Sequence, residues 1–134
     1  MTPAAPRSFA FVSVTEDGFE SQYQTCHLGH FLIVHELMSL IKTSKTRVVV
    51  VSSTAHELGA MDFDSLGADK PYDSVSGKFT AYGQAKLANV LFSNELARRL
   101  DGTGATSNAV HPGVIATNLL SDLKVGPYSL LLTP

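Results

Sequence analysis

The amino-acid sequence predicts an α/β fold in which helices cover a parallel sheet. The run 45–53 is rich in valine and lacks polar alternation, which is typical of a strand buried on both faces. Apolar residues recur at helical spacing over about 80–100, and a second buried strand is predicted over 105–111. A strand, a helix and a second strand in this order indicate a parallel crossover.

The N-terminal part adds an extended segment and one long helix. Residues 1–14 are rich in proline, alanine and serine, so we expect a loop or extended chain there. Asp17 followed by Glu20 forms a capping-box pattern and predicts a helix over about 18–44. Gly29 within it costs helix stability unless another backbone approaches closely there. The expected apolar face of this helix comprises Phe19, Tyr23, His27, His30, Phe31, Val34, Leu37, Met38 and Ile41.

The second helix follows a loop predicted over 54–77, and loops of this length are usually functional. Glu95 and Arg99 on the helix are spaced to form an ion pair, and Gly102 after it suits a left-handed helix cap. The expected apolar face of this helix comprises Ala81, Ala85, Ala88, Leu91, Phe92, Leu96 and Leu100.

The composition restricts the class of protein. Of the 134 residues, 44% are hydrophobic and 16% are charged, which excludes a disordered chain. The net charge is −2 and no basic block occurs, so we expect no nucleic-acid partner. A single cysteine excludes an internal disulfide. No signal-peptide pattern and no apolar run of membrane-spanning length occur, and together these features favour a cytoplasmic location.

Chemically active side chains fall at one predicted edge of the sheet. Binding sites in parallel sheets lie at the carboxyl ends of the strands, which here selects Ser53, Pro112 and Gly113. Tyr82 and Lys86 are four residues apart and share a helix face. The lysine charge favours the phenolate, so the pair suits proton transfer at a carbonyl or alcohol carbon. Tyrosine and lysine at this spacing also occur by chance, and the pair alone does not establish a site.

Cys26, His27 and His30 form a cluster with metal-ligand chemistry. The two histidines are three residues apart, a spacing that a helical metal site permits. No fourth ligand with suitable spacing occurs. We therefore interpret the histidines as packing residues and Cys26 as a small buried side chain, and we expect no metal. His111, before Pro112, is interpreted as a structural residue.

Five stretches occur in a fixed order along the chain. They are TEDGFE at 15–20, HLGHF at 27–31, RVVVVSS at 47–53, YGQAKLAN at 82–89 and NAVHPG at 108–113. With these motifs the sequence resembles the short-chain dehydrogenase/reductase family, in its retinol-dehydrogenase-like and WW-domain-oxidoreductase-like branch. The resemblance implies part of a Rossmann-like doubly wound parallel sheet. It also implies an NAD- or NADP-dependent oxidoreductase whose substrate is a small hydrophobic alcohol, aldehyde or ketone.

The resemblance implies a role for each matching residue. Ser53 would orient the substrate oxygen, Tyr82 would act as the acid/base, and Lys86 would tune Tyr82. Tyr82 and Lys86 would also lie against the cofactor, with Lys86 hydrogen-bonded to the nicotinamide ribose. The remaining cofactor-binding residues would be Pro112, Gly113 and Thr117.

The sequence departs from the family's pattern in two ways. Cys26 stands where the family usually has an asparagine that completes a catalytic tetrad, and a thiol cannot replace the donors and acceptor of an amide. We therefore expect slower turnover. The family's glycine-rich phosphate-binding turn has no counterpart, since the one Gly-x-Gly, at 102–104, follows a helix. We expect a truncated domain, with 15–120 as the family-matching core and 121–134 as a remnant of the substrate-covering region.

Two functions therefore remain open. The first is the oxidoreductase, with the choice between NAD and NADP undetermined because the residue that makes it belongs to the unmatched half. The second is an inactive fragment that pairs through its two long helices with another copy or with a full-length homologue. The apolar segment 119–134 additionally offers a surface for association or membrane contact.

Overall fold

A computed structural model of the chain describes residues 13–65 and 75–113. The stretch Val12–Pro112 forms one compact unit, and Gly113 belongs to a second. The helices are α1 (Ser21–Tyr23), a π-helical segment (Gln24–Leu28), α2 (Gly29–Glu36), α3 (Met38–Thr43) and α4 (Val75–Leu100). The strands are β1 (Arg47–Val51) and β2 (Thr106–Val110), and two 3-10 segments follow β1 (Thr54–Leu58 and Phe63–Ser65). The predictions for 1–12, 66–74, Thr117 and 121–134 fall outside the described residues.

The two strands form a parallel pair, as the sequence predicts. Their register runs from Arg47 opposite Thr106 to Val51 opposite Val110. The Ser52 amide donates to the Val110 carbonyl over 2.8 Å, and the Thr106 amide donates to the Thr46 carbonyl over 3.1 Å. Because backbone directions alternate along a strand, even-numbered residues of β1 bond to β2 and odd-numbered residues turn their backbone groups away from it.

The first helical stretch begins at a different cap from the predicted one. Glu20 caps α1, since its carboxylate accepts hydrogen bonds from the amides of Gln22 and Tyr23. Asp17 lies in the preceding turn, where Gly18 has a φ of +83°. The predicted capping box is therefore wrong, because the longer glutamate side chain reaches the free amides directly.

The predicted 18–44 helix is interrupted rather than continuous. It contains the π-helical segment and a break at Leu37, whose φ and ψ of −89° and 5° lie outside the helical region. Gly29 makes no unusually close contact, because a Cβ there would lie 3.6 Å from the Gln24 carbonyl oxygen. No close backbone contact therefore offsets the helix cost of Gly29 in the described part of the chain.

Helix α4 begins at Val75, five residues earlier than predicted, so Tyr82 and Lys86 lie inside it rather than at its start. Its core-facing side packs with α3 and the strands around Ile41, Leu96, Leu100 and Ala105. The helix ends as expected before Gly102, whose φ of +71° is left-handed. Most of the predicted face is buried, although Leu91 is 49% exposed.

The sheet is covered on one face only, which corrects the prediction of strands buried on both faces. Val50 is buried and Val48 packs against the core, whereas Val49 and Val51 are 60% and 52% exposed. The core that Val48 joins contains residues of α3 and α4. The same holds for β2, where Ser107 is buried but Val110 is 39% exposed.

Candidate active site

Ser53, Tyr82 and Lys86 come together at the carboxyl end of β1. The side chain of Tyr82 is hydrogen-bonded to that of Ser53. Ser53 also caps the first 3-10 segment, where its Oγ accepts from the Ala55 amide over 3.2 Å. One turn further along α4, the Lys86 Nζ lies 5.4 Å from the centroid of the Tyr82 ring. The structure therefore brings together all three residues that the sequence selected for proton transfer.

Two glycines allow the 3-10 segment to approach α4 closely enough for this contact. A Cβ on Gly83 would lie 2.6 Å from the Ala55 carbonyl oxygen, and one on Gly59 would lie 2.4 Å from the Gly83 carbonyl oxygen. Both distances are far shorter than a van der Waals contact. Next to Gly83, the Gln84 Oε1 accepts from the Asp62 amide over 3.2 Å. These contacts fix the loop that carries Ser53 beside Tyr82.

The environment of Tyr82 keeps its phenol protonated. Burial raises the pKa of Tyr82, the hydrogen bond with Ser53 lowers it, and negative charge on Cys26 raises it. The net direction is upward, so the lowering of the Tyr82 pKa that we expected from Lys86 is not the outcome here. In this arrangement the phenol is a proton donor at neutral pH.

Lys86 is held from two sides. Its Nζ donates to the Val51 carbonyl over 3.1 Å, and its own backbone carbonyl accepts from Ser52 Oγ over 2.8 Å. Ser52 is 5% exposed, so this second bond lies inside the protein. The lysine therefore has a defined position beside Tyr82 even though its charged end reaches the surface.

Cys26 belongs to the same region. It lies on the π-helical segment and packs against Tyr23, Ala85 and Ala88. Burial raises the pKa of the Cys26 thiol, whereas the positive charge of Lys86 lowers it and the negative charge of Glu20 raises it. The position at which the sequence departs from the family is thus next to the predicted proton-transfer pair.

Asn89 and His27 form a buried polar link that the sequence reasoning missed. His27 Nδ1 lies 2.9 Å from Asn89 Oδ1, and the two residues are 7% and 2% exposed. The signal in the sequence is a pair of polar residues, Asn89 and Ser93, which are four residues apart on the core-facing side of α4. His27 does pack among aromatic rings, with Phe92 edge-on at 6.1 Å between ring centroids. The packing interpretation of His27 is therefore incomplete rather than wrong.

A cleft of about 400 Å³, lined by polar and apolar residues, lies beside Ser53, and its apolar lining comprises Val90, Ala109 and Val110. Its hydrogen-bonding walls are Ser52, Ser53, His56, Ser93, Asn94, Ser107, Asn108 and His111. Pro112 follows His111 directly and is exposed. Gly113 has a φ of +91°, a backbone conformation that favours glycine.

The histidine cluster has hydrogen bonds within the protein. His27 contacts Asn89, and the His30 Nδ1 lies 3.3 Å from the Cys26 carbonyl oxygen. Over residues 13–65 and 75–113, no three His, Cys, Asp or Glu side chains gather as metal ligands would. None of the helices in the described part is long and apolar enough to cross a bilayer.

Known proteins with similar sequences are retinol dehydrogenases. Retinol dehydrogenase 14 of Homo sapiens is 49% identical over 106 residues, which cover 78% of this chain and 30% of that protein. Retinol dehydrogenase 12 of Bos taurus is 50% identical over 109 residues, covering 81% of this chain and 33% of that protein. The chain thus spans about a third of the length of the curated relatives it matches.

A solved structure agrees with the fold. The crystal structure of an uncharacterized protein from Mycobacterium Paratuberculosis matches with a TM-score of 0.66 and 40% sequence identity. The match covers 86% of this chain and 41% of that one. No family model matches the chain.

Proposed function

Because the chain belongs to the short-chain dehydrogenase/reductase family, in its retinol-dehydrogenase-like branch, we propose that its site serves an NAD(P)-dependent oxidoreductase reaction. The reaction interconverts a hydrophobic alcohol and its aldehyde or ketone. The observation that carries the proposal is the hydrogen bond between Ser53 and Tyr82, with the Lys86 ammonium beside the Tyr82 ring. Hydroxyl donors at the carboxyl end of a parallel strand suit the polarisation of a carbonyl oxygen.

Proton transfer in this proposal occurs at the phenol oxygen of Tyr82. In reduction, Ser53 and Tyr82 both donate to the carbonyl oxygen, and Tyr82 gives up its proton as the oxygen becomes an alkoxide. In oxidation the alcohol proton moves to the phenolate. Since burial raises the pKa of Tyr82, the phenol stays protonated at neutral pH and can act as the proton donor in reduction. Lys86 stabilises the phenolate that reduction leaves behind.

The residues of the site suit one end of a nicotinamide cofactor. The Lys86 ammonium and the Tyr82 hydroxyl are donors of the type that binds a ribose diol, so these two residues would hold the nicotinamide ribose. Pro112, Gly113 and Thr117 remain proposed as lining of the nicotinamide pocket. When bound, the cofactor supplies or accepts the hydride.

Within residues 13–65 and 75–113, we find no comparable set of donors for the pyrophosphate end of the cofactor. The sequence contains no glycine-rich turn between a strand and a helix, and the first amides of α1 already bond to the Glu20 carboxylate. We therefore expect weak binding. A fluorescence titration with NADH and NADPH should show no saturation below about millimolar cofactor. A dissociation constant in the micromolar range would contradict this expectation.

Tyr82→Phe tests the proposed proton transfer directly. Reduction of retinal and of decanal with NADPH or NADH should fall by about a hundredfold or more, because a positioned general acid contributes that much. Tyr23→Phe is the matched control, since Tyr23 is also buried but packs against Ala85 and Ala88. The proposal fails if wild-type protein has no activity above background, or if both variants retain the same activity.

Cys26→Asn tests the departure from the family's pattern. An amide at this position adds two donors and an acceptor next to Lys86 and Tyr82, so the turnover number should rise by several-fold, within the range of one added hydrogen bond to a charged group. Cys26→Ala is the control, because it removes the thiol without adding an amide. Equal rates in Cys26→Asn and Cys26→Ala would show that the side chain at this position has no part in turnover.

A second candidate function is association without catalysis. It is favoured by an apolar surface on α2 and α3, which we call the α2–α3 face. Its large apolar side chains are between 44% and 60% exposed, and they are Phe31, Leu32, Ile33, Leu37 and Leu40. An exposed apolar surface of this kind is typical of a protein–protein contact. The proposed partner is a second copy of the chain or a full-length homologue.

Ile33→Lys separates this second function from the first. The wild-type chain should co-purify with itself or with a full-length retinol dehydrogenase, and a buried lysine at position 33 should abolish that association. Leu58→Lys is the matched control, since Leu58 is 70% exposed and lies outside the α2–α3 face. A monomeric wild-type chain that captures no homologue would exclude this function.

A further inference from the structure

We propose that Asn89 is a positioning residue for Lys86 and that His27 fixes the orientation of Asn89. The inference deepens the proposed function, because it names side chains that set the geometry of the Lys86–Tyr82 pair without touching the reacting atoms. It rests on the buried link between α4, the π-helical segment and the end of β1.

The Asn89 amide joins two backbone carbonyls. Its Nδ2 donates to the Cys26 carbonyl over 3.0 Å and to the Val51 carbonyl over 3.3 Å. Since both neighbours of the nitrogen are acceptors, the amide has one satisfactory orientation, and its Oδ1 faces His27 Nδ1 at 2.9 Å. His27 therefore carries its proton on Nδ1 and donates to Asn89.

The Val51 carbonyl is the point at which Asn89 reaches Lys86. It accepts from the Lys86 Nζ over 3.1 Å as well as from Asn89. Val51 is an odd-numbered residue of β1, so its carbonyl points away from β2 and no β2 amide bonds to it. Side chains of α4 thus hold this carbonyl, and its direction decides where the lysine charge lies relative to the Tyr82 ring.

The Asn89 side chain bonds to the backbone of residue 26 and not to the side chain of that residue. The acceptor of this hydrogen bond is the backbone carbonyl of Cys26, a group that every residue type has. The chain can therefore depart from the family at this position and still keep the π-helical segment at the site. Asn89 sets the distance between that segment and Lys86 regardless of the residue at position 26.

The test measures how easily Lys86 reacts with a small reagent. The full chain is treated with limiting acetic anhydride, and acetylation of Lys86 is compared with that of Lys42, an exposed lysine on α3, by peptide mass spectrometry. Asn89→Leu removes the amide at similar volume, and His27→Phe removes the donor but keeps a ring. His27→Gln keeps an amide donor, and Ser93→Ala is the control for a buried polar side chain one turn further along α4.

The Lys86-to-Lys42 ratio should rise about threefold to tenfold in Asn89→Leu and in His27→Phe, as expected when a bond that orders a charged group is weakened. It should be unchanged in His27→Gln and Ser93→Ala. An unchanged ratio in folded Asn89→Leu, or an equal rise in Ser93→Ala, overturns the proposal. If Asn89→Leu does not fold, the comparison of His27→Phe with His27→Gln tests the proposal. Equal Lys86-to-Lys42 ratios in these two variants overturn the proposal.

Acetylation of Lys86 does not require turnover, so the two proposals fail separately. An inactive chain with the expected labelling pattern defeats the proposed function and leaves the positioning role intact. An active chain whose Lys86 labelling ignores Asn89 and His27 defeats the positioning role alone. Where activity is present, His27→Phe should lower kcat with little change in KM for decanal, because the site still binds the substrate.

Discussion

The carboxyl end of β1 and the α2–α3 face differ in how their helices are held in place. At the first, polar side chains of α4 are buried and every one that we describe is bonded: Asn89 to two carbonyls, Ser93 to Ser107 and Gln84 to Asp62. At the second, none of the eight residues of α2 is buried. Buried polar groups are costly unless satisfied, so a bonded network permits few alternative arrangements.

The backbone geometry of this chain is most narrowly determined at the carboxyl end of β1. Ser53, Tyr82 and Lys86 lie in the region where hydrogen bonds fix the backbone. The large apolar side chains of α2 are instead partly exposed and make contacts without hydrogen bonds, such as that of Phe31 with Phe92 at 5.3 Å between ring centroids. A change in the first region should therefore affect both stability and function. A change on the α2–α3 face should affect association alone.

The largest effect is expected for Gly83→Ala. A Cβ at this position would lie 2.6 Å from the Ala55 carbonyl oxygen, so the 3-10 segment must move away from α4 and carry Ser53 from Tyr82. We expect a loss of about 1–3 kcal/mol in the free energy of unfolding, the usual result of overpacking. Urea denaturation measures this loss, and aldehyde reduction should fall with it.

Gly29→Ala is the matched control for Gly83→Ala. A Cβ on Gly29 has room, since its nearest neighbour would be 3.6 Å away, and alanine is the better helix former. This variant should be as stable as the wild type or up to about 1 kcal/mol more stable. If both variants lose the same stability, the close approach at Gly83 is not the reason.

The next effect is a pH dependence of stability that comes from His27. Burial lowers the pKa of His27 below its ordinary 6.5, the hydrogen bond with Asn89 raises it and the charge of His30 lowers it. The folded chain keeps His27 neutral while the unfolded chain takes up a proton. The contribution of neutral His27 to the free energy of unfolding is therefore complete above pH 6.5. It decreases as the pH falls, by at most about 1.4 kcal/mol per pH unit.

Urea midpoints at pH 7.5 and 5.0 measure this dependence. His27→Gln, which does not titrate, should reduce the difference between the two midpoints. His35→Gln is the control, because His35 is exposed and is not among the groups that shift the pKa of His27, so the difference should stay nearly as it is. A wild-type midpoint that does not fall on acidification would contradict the assignment of a buried neutral histidine.

The smallest effect on stability is expected for Ile33→Lys. Ile33 is 57% exposed, so the variant should unfold within about 0.5 kcal/mol of the wild type. Denaturation of dilute protein, in which association is negligible, is the measurement. A loss as large as that of Gly83→Ala would mean that the α2–α3 face is covered in the free chain, and the contrast between the two regions would disappear.

Periodicity and local chemistry were enough to predict the strands, α4 and the residues that meet at the site. Ser53 follows a valine-rich strand, and the spacing of Tyr82 and Lys86 requires one helix face, so their meeting follows from the parallel crossover. The Glu95–Arg99 pair forms as expected at 2.6 Å, and Glu95 also binds Arg98 at 2.7 Å. These are local features that a few neighbouring residues decide.

Some errors, such as the predicted capping box, are local, but the others originate in contacts between distant parts of the chain. A run of valines indicates that a strand has two apolar faces, but it does not indicate whether the protein covers both of them. Here the face that carries Val49 and Val51 is exposed. The link between His27 and Asn89 joins residues 62 positions apart. The contact between Gly59 and Gly83 likewise depends on how two segments pack, which no local pattern reveals.

The glycine pair at Gly59 and Gly83 leaves an evolutionary signature. At both positions the nearest atoms to an added Cβ belong to backbone, so no side-chain change elsewhere can relieve the clash. A side chain added at one of the two positions cannot be compensated by a smaller residue at the other, because both are already glycine. Each must therefore stay glycine while Ser53 has to contact Tyr82. In descendants of this chain that no longer need the site, the stability lost on adding a Cβ would still favour glycine at both positions. We therefore expect the two glycines to persist longer than the proposed catalytic side chains.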